Sequence, residues 1–508
     1  MSTLWLTVAV LLVSLLPHLW YQRKGKHPYS SLPFPPGPKR LPFIGNLFNL
    51  PRGHDASVYR DWSREFGSEI VHLDVIGMHA IVVNSARAAR EIFEKRSLLY
   101  SDRPSFLVLN KMLGFRWALG FMPYGRKWRN ARKAFHSCFN STASLRYHRL
   151  ELQASQELLR RLLDTPQAFV EHVRHMAVDL ILEITYGSNM RSMGDTGDDY
   201  VIIAEKTLDA MLIGSTPHAV LLDSFPILSR LPAWFPGAGI KREATRWRPF
   251  VEAMMDVPYR KMKETVRDGT APPSVASSMA FELESKGVPE DIIKQTTASM
   301  YLGGVDTTVS ALSSFFLAMV LYPEAQDKAQ KEIDTVVGNE RLPEFSGEAS
   351  LPYVGALVKE VLRWRPVLPL AIPHRASSDD EYEGYYIPAG SLVIGNTWAI
   401  MHDESVFPDP DCFDPGHFLG ANDTSPDFAF GFGRRVCPGR FMAYSLLWAM
   451  IASVLATFTI SKAVDEDGNE IEVSDDYTEG MATFPLPFEC RIEPRSLAAA
   501  SLVRSTVL

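Results

Sequence analysis

Four short segments of this sequence carry residue types that could do chemistry together. The first is Phe430-Gly431-Phe432-Gly433-Arg434-Arg435-Val436-Cys437-Pro438-Gly439-Arg440. Glycines ahead of a cysteine let the backbone turn tightly and approach a flat ligand. Gly439, where a helical run begins, places amide donors near the sulfur and so favours the thiolate. The second segment, Gly303-Gly304-Val305-Asp306-Thr307-Thr308, sets a carboxylate beside a hydroxyl, a pairing suited to proton transfer. The third, Glu360-Val361-Leu362-Arg363, puts opposite charges three apart on one helical face in an otherwise apolar stretch. The fourth is Trp128-Arg129-Asn130-Ala131-Arg132. Taken singly, each has a plain reading. A lone buried cysteine is ordinarily a small hydrophobe, and an acid–base pair ordinarily sits on a solvated face.

The elements that must hold these segments are mostly helical. Nothing breaks the pattern between Pro289 and Pro323, so a helix of about 30 residues and about 45 Å is expected, with Glu290 and Asp291 at its positive end. Its centre holds Gly303 and Gly304, each costing on the order of 1 kcal/mol against alanine. That weakness is open to two readings: a distortion serving a ligand, or a glycine pair allowing close helix packing. Ser144–Leu163, Phe169–Tyr186 and Phe441–Phe458 have helical periodicity. Glu69–Val75 and Met78–Val83 read as a hairpin, and Tyr385–Ile387 with Ser391–Ile394, around Pro388-Ala389-Gly390, read as a second pair of short strands. The fold class expected is mainly α with a minor β-sheet portion.

No convincing linker follows Pro38, so residues 39–508 are read as one large catalytic domain. Ahead of it, residues 1–22 contain no Lys, Arg, Asp or Glu, and Leu4 to Trp20 is almost wholly apolar, enough for a short transmembrane helix. A cleaved signal peptide would have a basic start, whereas here Arg23, Lys24 and Lys26 follow the run, which favours an uncleaved anchor with that flank on the cytosolic side. Residues 23–38 form a basic flank and a proline-rich hinge ending in Pro35-Pro36-Gly37-Pro38, stiff and non-helical.

Composition excludes several classes. With 46% hydrophobic and 22% charged residues the chain has ample material for a core. The net charge of -7 argues against nucleic acid as a partner. Four cysteines without a CxxC pair point away from a disulfide scaffold and toward reduced thiols facing the cytosol.

The eleven-residue cysteine segment closely resembles the haem-binding loop of cytochromes P450. Glu360-Val361-Leu362-Arg363 resembles the family's ExxR helix, Gly303–Thr308 its oxygen-binding helix, and Trp128–Arg132 its WxxxR segment, in the family's order along essentially the whole chain. The anchor and hinge agree with the microsomal type, and the chain looks closest to fungal enzymes of secondary metabolism or xenobiotic oxidation.

The resemblance implies haem b with Cys437 as the thiolate axial ligand, within a loop that includes Phe430 and Gly439. It implies that Trp128, Arg132, His374 and Arg435 bind the haem propionates, arginine being suited to carboxylates by its planar fork. It further implies that Gly303 and Gly304 leave space for O2, that Thr307 hydrogen-bonds it, and that Asp306 relays protons. One departure stands out. The family usually has an arginine paired with the ExxR residues where this chain has His417, and a neutral imidazole would pair Glu360 less strongly and titrate near neutral pH.

By the same resemblance the substrate pocket is lined by Phe106 to Phe121, the long helix near Met300, Val367 to Ile372, and Met481 to Phe484, all strongly apolar. A hydrophobic terpenoid, polyketide, aromatic or xenobiotic substrate follows. Leu231–Gly237 is expected either to dip into the membrane surface or to pack on the body. No flavin or nicotinamide fingerprint is evident, so electrons would come from NADPH through a separate cytochrome P450 reductase, with cytochrome b5 as a second donor. Lys127, Arg129, Lys133, Arg434 and Arg440 are candidates for a basic docking face. The sequons at Asn140 and Asn422 would stay unmodified on the cytosolic side of the endoplasmic reticulum. The rival reading is a haem-thiolate isomerase, dehydratase or peroxide user needing no reductase, and a third is a non-enzymatic helical scaffold. The intact Asp306-Thr307 pair favours oxygen insertion.

Overall fold

The computed structural model describes residues 29–506 except 30, 43, 52, 54, 189–199, 215, 217–218, 220–221, 224–228, 231–238, 285–287 and 421–424. The expected anchor at 1–22, the first part of the hinge, the Leu231–Gly237 stretch and the sequon at Asn422 lie outside the described residues.

Helices dominate. In chain order the longer ones are α1 (Asp55–Phe66), α2 (Arg126–Phe139), α3 (His148–Asp164), α4 (Phe169–Tyr186), α5 (Tyr200–Ile213), α6 (Gly239–Arg267), α7 (Val275–Glu284), α8 (Glu290–Leu321), α9 (Pro323–Val336), α10 (Pro352–Trp364), α11 (Arg440–Thr457) and α12 (Leu497–Ser505). The strands are β1 (Ile70–Val75), β2 (Met78–Val83), β3 (His374–Arg375), β4 (Asp380–Tyr382), β5 (Tyr385–Ile387), β6 (Leu392–Gly395), β7 (Phe458–Lys462) and β8 (Cys490–Pro494). They form one four-stranded sheet in the order β1-β2-β6-β3 and two hairpins, β4-β5 and β7-β8. The expected β1–β2 hairpin is present, turned by Ile76 and Gly77 at positive φ, which matches the strands' twist.

The second expected pair is corrected. Both strands exist, but β5 pairs with β4 while β6 runs parallel to β2 and antiparallel to β3. The Pro388 turn carries the chain from one sheet to another, because the apolar run of β6 completes the larger sheet's core.

Helix α8 runs through the middle of the protein. It is apolar on every side, as a helix surrounded by protein must be, and it packs against α4, α2, α6 and α11. Its first turn is held by charge, with Lys263 on Glu290 at 3.0 Å and Lys127 on Asp291 at 3.2 Å. It ends at Tyr322, whose backbone leaves the helical region ahead of Pro323 (φ -129°, ψ 67°), as a residue before proline is pushed to do. Helices α8 and α11 are long and apolar enough to cross a membrane, but 78% and 67% of those windows are buried, so they are core helices.

Beneath this core, Glu360 and Arg363 are fully buried and meet through two bonds of 2.7 Å. Arg363 spends its remaining donors on the carbonyls of Met401, Pro410 and Cys412, and Glu360 also accepts from the Asp414 amide at 2.8 Å. The pair thereby ties α10 to the coil that precedes the cysteine loop.

His417 completes the network in the place where the family usually has an arginine. Its Nδ1 faces Glu360 Oε1 at 3.2 Å and its Nε2 faces the Pro408 carbonyl at 2.7 Å. Both partners are acceptors, so both nitrogens donate only when the ring is charged. Burial opposes that charge, but the bonds to Glu360 and Pro408 outweigh it and raise the pKa above the ordinary 6.5. A raised histidine pKa contributes stability that is full below the unfolded value and is lost as pH rises through the folded one. Urea unfolding is therefore expected to show falling stability above about pH 6.5, and His417→Arg should remove most of that decline. Removing the carboxylate by Glu360→Ala should cost about 3–5 kcal/mol, because Arg363 is left buried and unpaired.

Candidate active site

The cysteine loop is built on two glycines. Gly431 and Gly433 have φ of 83° and 50°, and a Cβ on Gly433 would overlap the Phe93 carbonyl oxygen. Phe432 stacks on Phe93 at 4.7 Å, which fixes the loop against the protein's second apolar cluster. The Cys437 amide then donates to the Phe430 carbonyl at 2.7 Å, and α11 begins at Arg440. The half-buried Cys437 thiol is pushed above its usual pKa by burial, opposed by the Gly439 amide and by the charges of Arg132 and Arg440. This is the amide-at-sulfur arrangement that the glycine spacing implies.

Three guanidiniums converge nearby, and a carboxylate binds none of them. Arg435 is buried, donates to the carbonyls of Ser101 (2.7 Å) and Met122 (2.9 Å), and lies 4.4 Å over the Trp128 ring. Arg103, also buried, donates to the carbonyls of Gly120, Ile372 and Pro373. Half-buried Arg132 has no hydrogen bond or ion pair among the described residues and faces Cys437 electrostatically. Burial pulls Arg132 and Arg435 down to about 10 and Arg103 well below its usual value. Asp102, the nearby acid, instead accepts from the Tyr124 amide and lies 3.9 Å from Arg375.

His374 sits among them on β3. Its Nδ1 donates to the Tyr100 carbonyl, while burial and the charges of Arg103 and Arg435 hold it neutral. Its Nε2 and the Trp128 Nε1 have no protein partner among the described residues. The cluster thus offers three cations and the Trp128 indole N–H to an anionic group, while the Nε2 of neutral His374, whose proton is on Nδ1, is an acceptor.

On the opposite side, α8 stays helical through 303–308, so the expected weak centre is not a break. The hydroxyls of Thr307 and Thr308 bond back to the carbonyls of Gly303 (2.6 Å) and Gly304 (2.7 Å). The two glycines divide the two sequence readings between them. A Cβ on Gly304 would come within 2.8 Å of Ile181, so this glycine lets α4 pack closely, whereas Gly303 has nothing within 4 Å. Gly303 and Thr307, one turn apart, are exposed while Val305, Asp306 and Thr308 are buried, so one strip of this core helix borders open space. Asp306 points away toward Arg174 on α4, 3.2 Å from its Oδ1, and Arg174 also pairs with Glu205 on α5. Its Oδ2 is buried without a hydrogen bond. Burial, partly offset by Arg174, pushes the Asp306 carboxyl up to about 7.

The expected pocket segments do meet. Leu119 N donates to Ser299 Oγ (3.0 Å), Ser310 Oγ to the Thr483 carbonyl (2.6 Å), and Thr483 N to the Val367 carbonyl (3.0 Å). A surface cavity of about 420 Å³ is lined by Tyr124, Trp128, Arg129, Arg132, Lys133, His136 and Arg434. Of the expected basic face, Lys127 is drawn away by Asp291 and Arg440 lies over its own Phe441 ring, which leaves Arg129, Lys133 and Arg434.

The cytochrome P450 family model matches residues 35–486. This chain belongs to the cytochrome P450 family. Over 489 residues it is 43% identical to cytochrome P450 monooxygenase 98 of Postia placenta, covering 94% of this chain and 93% of the relative. A cytochrome P450 monooxygenase of Armillaria gallica is 42% identical, with 97% of each chain covered. Tryptamine 4-monooxygenase of Psilocybe cyanescens is 37% identical, covering 96% and 98%. The protein is a P450 monooxygenase, an oxidoreductase of a family that binds haem through a cysteine thiolate.

The donor set fits that cofactor. A cysteine on a tight loop with an amide at its sulfur suits a thiolate ligand, and three unpaired guanidiniums suit a group carrying two carboxylates. Trp128, Arg132, His374, Arg435 and Cys437, all named from sequence, come together here. Arg103 was missed; its one signal is a lone arginine at the head of the apolar Phe106–Phe121 segment. Equilibrium titration of the apoprotein should show haem binding at least about a hundredfold more tightly than its dimethyl ester, which lacks the carboxylates.

Proposed function

We propose that this P450 inserts one atom of O2 into a neutral, apolar organic substrate, using electrons from NADPH delivered by a separate reductase. In this reading Cys437 would ligate the haem iron through its thiolate, Trp128, Arg103, Arg132 and Arg435 would hold the haem carboxylates, and His374 would join them once its free Nε2 is protonated. Haem ligated by thiolate supplies oxygen activation, because the sulfur pushes electron density toward O–O cleavage. The protein's own residues supply space and protons. Gly303 leaves room at the exposed strip of α8, Thr307 presents its hydroxyl there, and Asp306 stores the proton. A carboxyl near pKa 7 both takes and gives a proton at neutral pH. Glu205, about half exposed, and Arg174 connect it to solvent.

The observation that carries this reading is the buried Asp306, with one unbonded oxygen, next to the exposed Thr307. A reductase-independent isomerase would have no use for such a pair.

Neutrality of the substrate follows from the pocket segments. Half-buried Phe106, Leu302, Val367, Ile372, Met481 and Phe484 supply apolar surface, and residues 106–121, 367–372 and 481–484 contain no acid. Asp306 is committed to Arg174. The acid beside these segments, Asp223, accepts from the Val108 amide, and the Psilocybe relative's substrate is not carried over. The electrons are assigned to a reductase docking over Arg129, Lys133 and Arg434, whose cavity is lined by no acid. The apolar Leu4–Trp20 run would anchor the chain in the endoplasmic reticulum membrane with the catalytic domain cytosolic.

Reconstitution with NADPH and reductase tests the reading. Product should require both, and turnover without either would favour the isomerase or peroxide alternative. Asp306→Asn is expected to lower product per NADPH by about 10²–10⁴-fold and to flatten the pH profile around neutrality. Arg129→Glu with Lys133→Glu should raise the KM for reductase about tenfold and weaken its salt dependence, leaving the haem spectrum unchanged.

A further inference from the structure

Away from the candidate active site, α3 and α11 meet over a polar junction. Glu151 of α3 is fully buried, and its Oε1 accepts a hydrogen bond from the Ser445 hydroxyl of α11 at 2.9 Å. Its Oε2 is buried without a hydrogen bond, as is Nε1 of Trp448, one turn beyond Ser445 on the same face of α11. A buried carboxylate oxygen left unsatisfied is costly, and far more so when the group is ionised.

A short helical turn, Phe345–Ser350, crosses this junction just ahead of α10. Its Phe345 ring lies on His148 of α3 (3.7 Å, 22°) and against Trp448 of α11 (5.2 Å, 32°), so it bridges the two helices. The backbone bonds of the turn stay local, from Gly347 N to Glu344 O (2.9 Å) and from Leu351 N to Glu348 O (3.0 Å). Among the described residues no hydrogen bond fastens it to α3 or α11, so ring contact holds it down.

The charges around Glu151 do nothing to favour its ionisation. Burial pushes its carboxyl up to about 8, against the Ser445 bond and with help from Glu348 on the turn. His148, one turn before it, has its pKa lowered by burial. The other helices on α3 place their polar groups more than two turns beyond, with Asp179 of α4 3.8 Å from Arg161 and Thr506, just past α12, bonded to Arg160 at 2.9 Å.

We propose that Phe345–Ser350 is a pH-sensitive strap, closed over the α3–α11 junction while Glu151 is protonated and lifted when Glu151 ionises, so that water reaches the carboxylate. An acid held above its ordinary 4.5 in the closed form favours closure fully below that value. The preference is lost as pH rises toward about 8, and above that both forms are ionised and the balance stops changing.

Hydrogen exchange of the 345–351 amides in the full, haem-loaded chain tests the strap, read as protection relative to the unfolded chain. In the wild type, protection should fall about tenfold per pH unit between about pH 6 and 8 and level off above. In Glu151→Gln, which keeps the shape of the side chain without the charge, protection should not change with pH. Glu348 is exposed, so Glu348→Gln leaves the junction packed, and by removing the neighbouring charge it should bring the levelling point to lower pH. Wild-type protection that stays flat over this range, a Glu151→Gln variant that still loses it, or a levelling point that Glu348→Gln leaves in place would overturn the proposal.

Discussion

Two buried guanidiniums and a half-buried third, with no carboxylate bonded to any of them, form the constraint on which this structure turns. Charges taken out of water are costly unless paired. Arg103 and Arg435 are instead held by backbone carbonyls and an aromatic face, and Arg132 has no hydrogen bond or ion pair among the described residues. The arrangement is poor as a finished core and good as a receptor for a group that brings two negative charges. Burial lowers all three pKa values, and bound carboxylates would reverse that direction.

The rest of the fold keeps that receptor in register with the sulfur. The Glu360–Arg363 pair ties α10 to the coil leading into the cysteine loop, and Gly433 seats the loop against Phe93. From the same carbonyl-bound Arg103, the constraint reaches the pocket walls at Gly120 and Ile372. Arg103 thus ties the cation cluster to the 106–121 and 367–372 segments. On the far side, α8 separates duties between adjacent residues: Gly304 packs, Gly303 leaves space, Thr307 faces the opening, and Asp306 faces Arg174.

Much of this was legible in the sequence because it is local. A cysteine loop, an i,i+3 charge pair and an uninterrupted helix are patterns within about thirty residues, and α8 appears at Glu290–Leu321 as the pattern implied. What depended on distant backbone was not legible. Arg103 acquires its position from carbonyls at 120, 372 and 373, and His417 its raised pKa from Pro408 as well as Glu360. Strand pairing failed for the same reason: β5 and β6 are sequence neighbours, but β6 is claimed by β2, some three hundred residues earlier. The Arg174–Asp306 contact, joining α4 to α8, left no trace in either segment alone.

The central claim, that Cys437 supplies the thiolate within this cation-lined receptor, meets its most direct test in a reduced, CO-bound difference spectrum. It would be recorded on the wild type and on Cys437→Ala. The account predicts the red-shifted Soret band of thiolate-ligated haem in the wild type and its loss in the variant. A band that survived the substitution, or never formed in folded, haem-supplemented wild type, would contradict it.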